Sequence, residues 1–332
     1  MGARSSIEWT DASWSPVRGC SIESPGCTNC YAMKQAHRWP QFGRLTKPSA
    51  KGMVWTGEVR ALESLVMIPF SWREPRLVFV NSQSDTFHQK VPTAFLDFMF
   101  AVMWLRPQHV FQVLTKRHAR MHEYFSDVET VHRVREIAER IATNVRIRVP
   151  EISDDSRGFV LPNVWLGVSA ENQKYADERI PALLATPATI RFVSCEPLLG
   201  PISLHPAADL GYRLLSRWYG ANGFDETGSQ PERDRMTGFF PRIDWVITGG
   251  ESGPRARECE IAWVRSIIEQ CQRAGVAVFN KQLGARPIDS HPERTELKRA
   301  VKLRDHKGGD MTEWPEDLQV RQFPTVENHA EV

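Results

Sequence analysis

Three cysteines fall within eleven residues near the start of the chain: Cys20, Cys27 and Cys30, in Gly19-Cys20-Ser21-Ile22-Glu23-Ser24-Pro25-Gly26-Cys27-Thr28-Asn29-Cys30-Tyr31. A disulfide takes two sulfurs, and a closed tetrahedral metal site takes four ligands. Three thiolates leave one metal position open, and thiolates are the usual protein ligands of iron–sulfur clusters. The loop therefore reads as the holder of a 4Fe-4S cluster whose fourth iron is free for a substrate or cofactor. The C-x6-C-x2-C spacing puts the last two sulfurs on one turn, and Pro25-Gly26 lets the hexapeptide before them fold back. Two other readings stay open: a structural zinc site completed by His37 or His88, and unligated thiols.

A reactive loop needs a scaffold to aim it. Short apolar, β-prone runs recur along the chain, each ending in small or polar residues. Residues 77–80 lead into Asn81-Ser82-Gln83-Ser84-Asp85, and 110–114 into Thr115-Lys116-Arg117. Residues 164–168 lead into Ser169-Ala170-Glu171-Asn172, and 190–193 into Ser194-Cys195-Glu196-Pro197. Residues 245–247 precede Thr248-Gly249-Gly250-Glu251-Ser252-Gly253, and 276–279 precede Asn280-Lys281-Gln282. Between them, residues 94–105, 128–146 and 261–274 are compatible with helices. Alternating strand and helix predicts a parallel sheet, and continuous apolar strands predict one covered on both faces. Six such units plus an opening strand just before Cys20 predict a TIM-like or partial (β/α) barrel, in which the loops after the strands carry the site. A doubly wound open sheet is the alternative. The expected organisation is a barrel domain over residues 1–297, with an insertion at about 202–241, and a C-terminal extension over 298–332.

Composition narrows the class. The chain has 332 residues, 41% hydrophobic and 25% charged, which excludes disordered and fibrous classes. Its net charge of +2 argues neither for nor against a nucleic acid. There is no apolar leader and no run of about twenty apolar residues, so neither secretion nor a membrane partner is expected. Cys195, Cys259 and Cys271 are scattered singly, which points to a reducing, cytoplasmic setting. No phosphate-cradling loop, H-E-x-x-H or G-x-S-x-G signature competes with the cysteine loop.

A cysteine triad at the end of the first strand of a βα barrel resembles the radical S-adenosylmethionine superfamily, although the common spacing there is C-x3-C-x2-C. Thr115-Lys116-Arg117 is similar to the Thr-Lys-Ser element of the spore photoproduct lyase branch, and Val168-Ser169 to its Val-Ser strand end. Over nearly its full length the chain resembles a phage and prophage family of three-cysteine-motif proteins. That likeness is visible in Glu8-Trp9-Thr10-Asp11, Phe79-Val80-Asn81-Ser82, Trp165-Leu166-Gly167-Val168-Ser169 and Gly249-Gly250-Glu251-Ser252-Gly253.

The resemblance implies a 4Fe-4S cluster on Cys20, Cys27 and Cys30 and S-adenosyl-L-methionine on its fourth iron. A 5′-deoxyadenosyl radical would be the reactive product, and a reductant such as flavodoxin or ferredoxin the electron source. Ser82, Ser84 and Asp85 would then take the amine of the cofactor, and Lys116 or Arg117 its carboxylate. Ser169, Glu171 and Asn172 suit ribose hydroxyls, Glu196 suits ribose or substrate, and Gly249 and Gly250 allow a close approach to adenine or substrate. Cys195, with Glu196, is a candidate for acting on the substrate, as a relay or hydrogen-atom donor. Each Ser, Asp and Asn here also suits a helix N-cap, and Cys195 a small buried apolar position. Arg and Trp residues around the expected barrel make a nucleic acid or nucleotide the first substrate guess, for modification or repair. A zinc-stabilised, non-catalytic nucleic-acid-binding protein is the rival.

Overall fold

The computed structural model describes residues 5–37, 44–50, 52–151, 159–204, 242–291 and 294–325. Most of the expected insertion (205–241) and the end of the extension (326–332) lie outside the described residues.

Seven strands form one sheet in chain order: β1 (Ala12–Trp14), β2 (Leu77–Val80), β3 (Val110–Thr115), β4 (Val164–Ser169), β5 (Ile190–Cys195), β6 (Trp245–Gly249) and β7 (Ala277–Gln282). The pairs β1–β2, β2–β3, β3–β4, β5–β6 and β6–β7 are parallel. Strands β4, β5 and β6 are buried at every position, as a sheet covered on both faces requires. Helices follow the strands: α1 (Tyr31–His37), α2 (Thr93–Trp104), α3 (His118–Ser126), α4 (Val128–Val145), α5 (Gln173–Ala185) and α6 (Ile261–Ala274). The architecture is the partial (β/α) barrel expected from the sequence.

Local chemistry sets the element ends. Asp127 caps α4, its carboxylate accepting from the Glu129 N–H at 3.0 Å. Helix α6 buries Val264, Ile267, Ile268, Cys271 and Ala274 on one face and stops at Gly275, whose φ of 65° suits glycine.

By internal contacts the chain divides into two compact units: residues 1–168 with 186–189, and residues 169–185 with 190–332. The expected boundary at 297/298 instead falls inside a strand, Arg294–Ala300, which pairs antiparallel with Pro287–His291 in a small separate sheet. The extension docks on the edge strand β7. Asn280 N–H donates to Val320 O at 2.8 Å, Gln322 N–H donates to Val278 O at 2.9 Å, and Trp314 is 4% exposed. That contact covers polar groups an edge strand would otherwise present.

Candidate functional site

The first unit holds the cysteine loop. The chain leaves β1, pairs Val17–Arg18 with Arg60–Ala61, and bridges Gly19 to Ser84 just past β2. The expected opening strand is therefore split: the sheet strand ends at Trp14, and the segment touching Cys20 belongs to a separate two-stranded piece. Gly19 has φ +86°, and a Cβ there would meet Glu58 O at 2.2 Å, so the turn into Cys20 requires glycine. Cys27 closes a short 3-10 turn over Pro25–Cys27, and the Cys30 N–H donates to Cys27 O at 3.2 Å just before α1. Cys20 and Cys30 pack against an apolar cluster of Ala32, Met33, Ala36, Leu45 and Trp55.

The ends of β2 and β3 reach the same loop. Asp85 accepts from Thr115 Oγ1 at 2.6 Å, Lys116 N–H at 3.0 Å, Phe87 N–H at 3.0 Å and Arg117 Nη1 at 2.9 Å. The buried Arg117 guanidinium also lies 3.8 Å from Cys20 Sγ and donates to Ser21 Oγ at 2.9 Å. Burial and then Asp85 push the Cys20 thiol up to about 12, Arg117 opposes them, and Cys27 and Cys30 each raise it further. Burial likewise raises Cys30, while hydrogen bonding from Ala32 and the charge of Lys116 lower it. The three sulfurs thus lie within electrostatic reach of one another, and Lys116 within reach of Cys30.

Several expected ligand groups here have structural partners. Ser84 Oγ donates to Val17 O at 2.8 Å, Ser82 Oγ lies 3.3 Å from Ser15 Oγ, and Asp85 is engaged as described. Lys116 makes no ion pair among the described residues. Arg117, one of the two cations expected at a cofactor carboxylate, binds the cysteine loop itself.

His88 bears on the zinc reading. Its Nδ1 accepts from the Lys90 N–H at 3.2 Å, so Nε2 carries the proton and faces Ser21 Oγ at 2.9 Å. Both ring nitrogens are hydrogen-bonded, so a metal on Nε2 would displace the Ser21 contact. Burial, helped by the Arg117 charge, lowers its pKa from 6.5 to about 4. An unfolded histidine takes up a proton near 6.5 that the folded one refuses, so stability is expected to fall as pH drops from about 6.5 towards 4. The unfolding midpoint of the metal-free protein should decline over that window, and His88→Asn should flatten the decline. An identical slope in the variant would remove this account of His88.

In the second unit, Glu196, just after β5, and Lys281, near the end of β7, pair at 3.2 Å, both largely shielded from solvent. Between them lies Gly249 of β6, where a Cβ would stand 2.9 Å from Glu196 Oε1. The missing side chain lets the pair form across β6. Lys281 was visible in the sequence only as part of a polar strand end. Gly250 serves packing, since a Cβ there would meet Leu283 O at 2.3 Å. Glu251 is held by Arg257 at 2.6 Å.

Glu171 is fully buried and paired with Arg179 of α5 at 3.1 Å, and Arg179 also donates to Ser169 O at 2.7 Å. Asn172 accepts from the Tyr175 N–H at 3.3 Å, as an N-cap of α5 does. Cys195 is fully buried. Burial pushes its thiol up, followed by the charge influence of Cys271 of α6 and, after it, of Glu196 and Glu171. It therefore sits among residues covered by a helix, as a small apolar side chain would.

All six cysteines are free. Among the described residues, no group of three or more His, Cys, Asp or Glu side chains is arranged to hold a metal ion. The loop's donor set is compatible with an iron–sulfur cluster: three soft sulfurs, an apolar wall, backbone N–H groups on Cys30 and a guanidinium beside Cys20. The chain belongs to a family described as proteins of unknown function, DUF5131, which matches residues 4–315. The DUF5131 match takes in the cysteine loop and every sheet strand, and stops before the segment that covers β7. No curated protein and no solved structure matches the chain. Among the described residues, no helix is long and apolar enough to cross a membrane.

Proposed function

We propose that the chain is a radical S-adenosylmethionine enzyme of the cytoplasm, acting on a nucleic acid or nucleotide-like substrate to modify or repair it. The observation that carries this reading is the three-thiol loop beyond β1, tied by Arg117 and Asp85 to the ends of the next two strands. Cys195, Cys259 and Cys271 are buried within the second unit. When bound and reduced, a 4Fe-4S cluster would supply the electron that splits S-adenosylmethionine into methionine and a 5′-deoxyadenosyl radical, which takes a hydrogen atom from the substrate.

The protein's own work is holding and shielding. Cys20, Cys27 and Cys30 would ligate three irons. Leu45, Trp55 and Met33 exclude water from one side. Lys116, near Cys30 and without an acidic partner among the described residues, suits a cofactor carboxylate. Electrons would come from a flavodoxin- or ferredoxin-type donor. Free thiols throughout the chain suit a reducing compartment.

Anaerobic reconstitution with iron and sulfide tests the reading. A brown protein with about four irons per chain is expected, releasing 5′-deoxyadenosine from S-adenosylmethionine after dithionite reduction. A colourless protein with one zinc, or a cubane that never cleaves the cofactor, would overturn it.

A further inference from the structure

The C-terminal region carries charge that the rest of the chain does not. Residues 298–307 hold five basic side chains and one acidic, net +4, against +2 for the whole chain. The fold neutralises only part of this. Lys298 pairs with Glu260 at 3.1 Å and Arg304 with Glu313 at 3.3 Å. Arg299, Lys302 and Lys307 are exposed and make no ion pair among the described residues. Asp289 stands opposite Arg299 on the paired strand without forming an ion pair, so most of the segment's positive charge stays unpaired, and a polyanion relieves its self-repulsion.

Alternate residues of the same segment, Val301, Leu303 and Asp305, together with His306, line a cavity of about 380 Å³. Pro254, Pro287, Val301 and Leu303 give it apolar walls, and Arg286 and His306 add polar edges. The one carboxylate among its lining residues, Asp305, is engaged by the N–H groups of Lys307, Gly309 and Asp310. An apolar slot with a few polar groups, within the size range of small-molecule sites, suits a flat heterocycle. Phosphate-binding cations next to a slot for a base are the two parts of a single-strand site. An acidic protein would use the cations but not the slot, and a duplex keeps its bases stacked.

We propose that this segment binds single-stranded nucleic acid, with Arg299, Lys302 and Lys307 on the phosphates and one unstacked base in the cavity beside His306. The proposal rests on the nucleic-acid part of the proposed function, and not on the cluster.

The test uses the full, metal-free chain and a labelled mixed-sequence single strand, titrated at several salt concentrations. Affinity should fall with salt, at about 0.7 log units per log unit of salt for each phosphate contact. Arg299→Gln with Lys302→Gln and Lys307→Gln should flatten that slope by about 2 and weaken binding at least tenfold at about 0.15 M salt. The control Arg135→Gln with Arg140→Gln, exposed on α4, should leave binding unchanged. His306→Ala should weaken single-strand binding about fivefold or more and leave any duplex binding alone. An unaltered slope in the triple variant, a preference for duplex, or equal competition by polyglutamate overturns the proposal. Absent binding in a protein that assembles its cluster sinks this proposal alone. Intact binding in a protein that takes up no iron sinks the radical reading alone.

Discussion

Serine at Cys20, Cys27 and Cys30 together is expected to take iron uptake from about four atoms per chain to background, with loss of all cofactor cleavage. The substitution removes one heavy-atom type and almost no volume. Cys20 and Cys30 only edge the cluster of Ala32, Met33, Leu45 and Trp55, so the apolar packing beneath the loop survives. What is lost is the thiolate. A serine hydroxyl is a hard oxygen donor that stays protonated, and it does not replace a soft anionic sulfur on iron. The companion variant places serine at Cys195, Cys259 and Cys271. Those thiols are buried in the second unit, so it should cost stability and leave iron content per folded chain unchanged. Iron analysis and electron paramagnetic resonance of both variants separate ligation from folding. Equal iron in the two would end the case for the loop as the holder.

Strands were readable because their burial is nearly total. The runs at 77–80, 110–114, 164–168, 190–193, 245–247 and 276–279 each became a sheet strand, within a few residues of the expected ends. The first strand was harder: Ala12–Trp14 has three residues, and the eye is drawn past it to the chain entering Cys20. The hairpin Thr46–Ser49 and Gly52–Trp55, which helps wall the cysteine loop, carries a proline and a glycine that mask its pattern. In the site, the cysteines stood out because their type and spacing are rare. Their setting did not. That Asp85 would spend its oxygens on Thr115, Lys116 and Arg117 depends on the register of β2 with β3, which no local pattern encodes. Glu171 fell to a partner eight residues on, because one strand-to-helix connection folds Arg179 back over it. Asn172 acts as the cap its residue type favours. A polar strand end thus identifies a region where ligand groups can gather, while the sheet register decides which of them stay available.

Asp85→Ala is expected to destabilise the metal-free protein by about 3–5 kcal/mol. Both partners of the Asp85–Arg117 pair are 7% exposed at the side chain. Removing the carboxylate leaves a buried guanidinium with Glu23 as its nearest anion, at 3.4 Å and 39% exposed, a weak substitute. It also strands the Thr115 hydroxyl and two backbone N–H groups, those of Phe87 and Lys116. Asp85→Ala with Arg117→Met removes the orphaned charge as well and should recover part of the loss, because an apolar side chain of similar length tolerates burial. Urea unfolding of both variants without metal gives the two numbers. The same measurement decides between the roles assigned to Asp85. A carboxylate kept only for the amine of S-adenosylmethionine would be dispensable in the absence of cofactor, and its removal would leave the unfolding midpoint in place. A loss below about 1 kcal/mol would therefore return Asp85 to the ligand set and make Arg117 the weaker anchor of the cysteine loop.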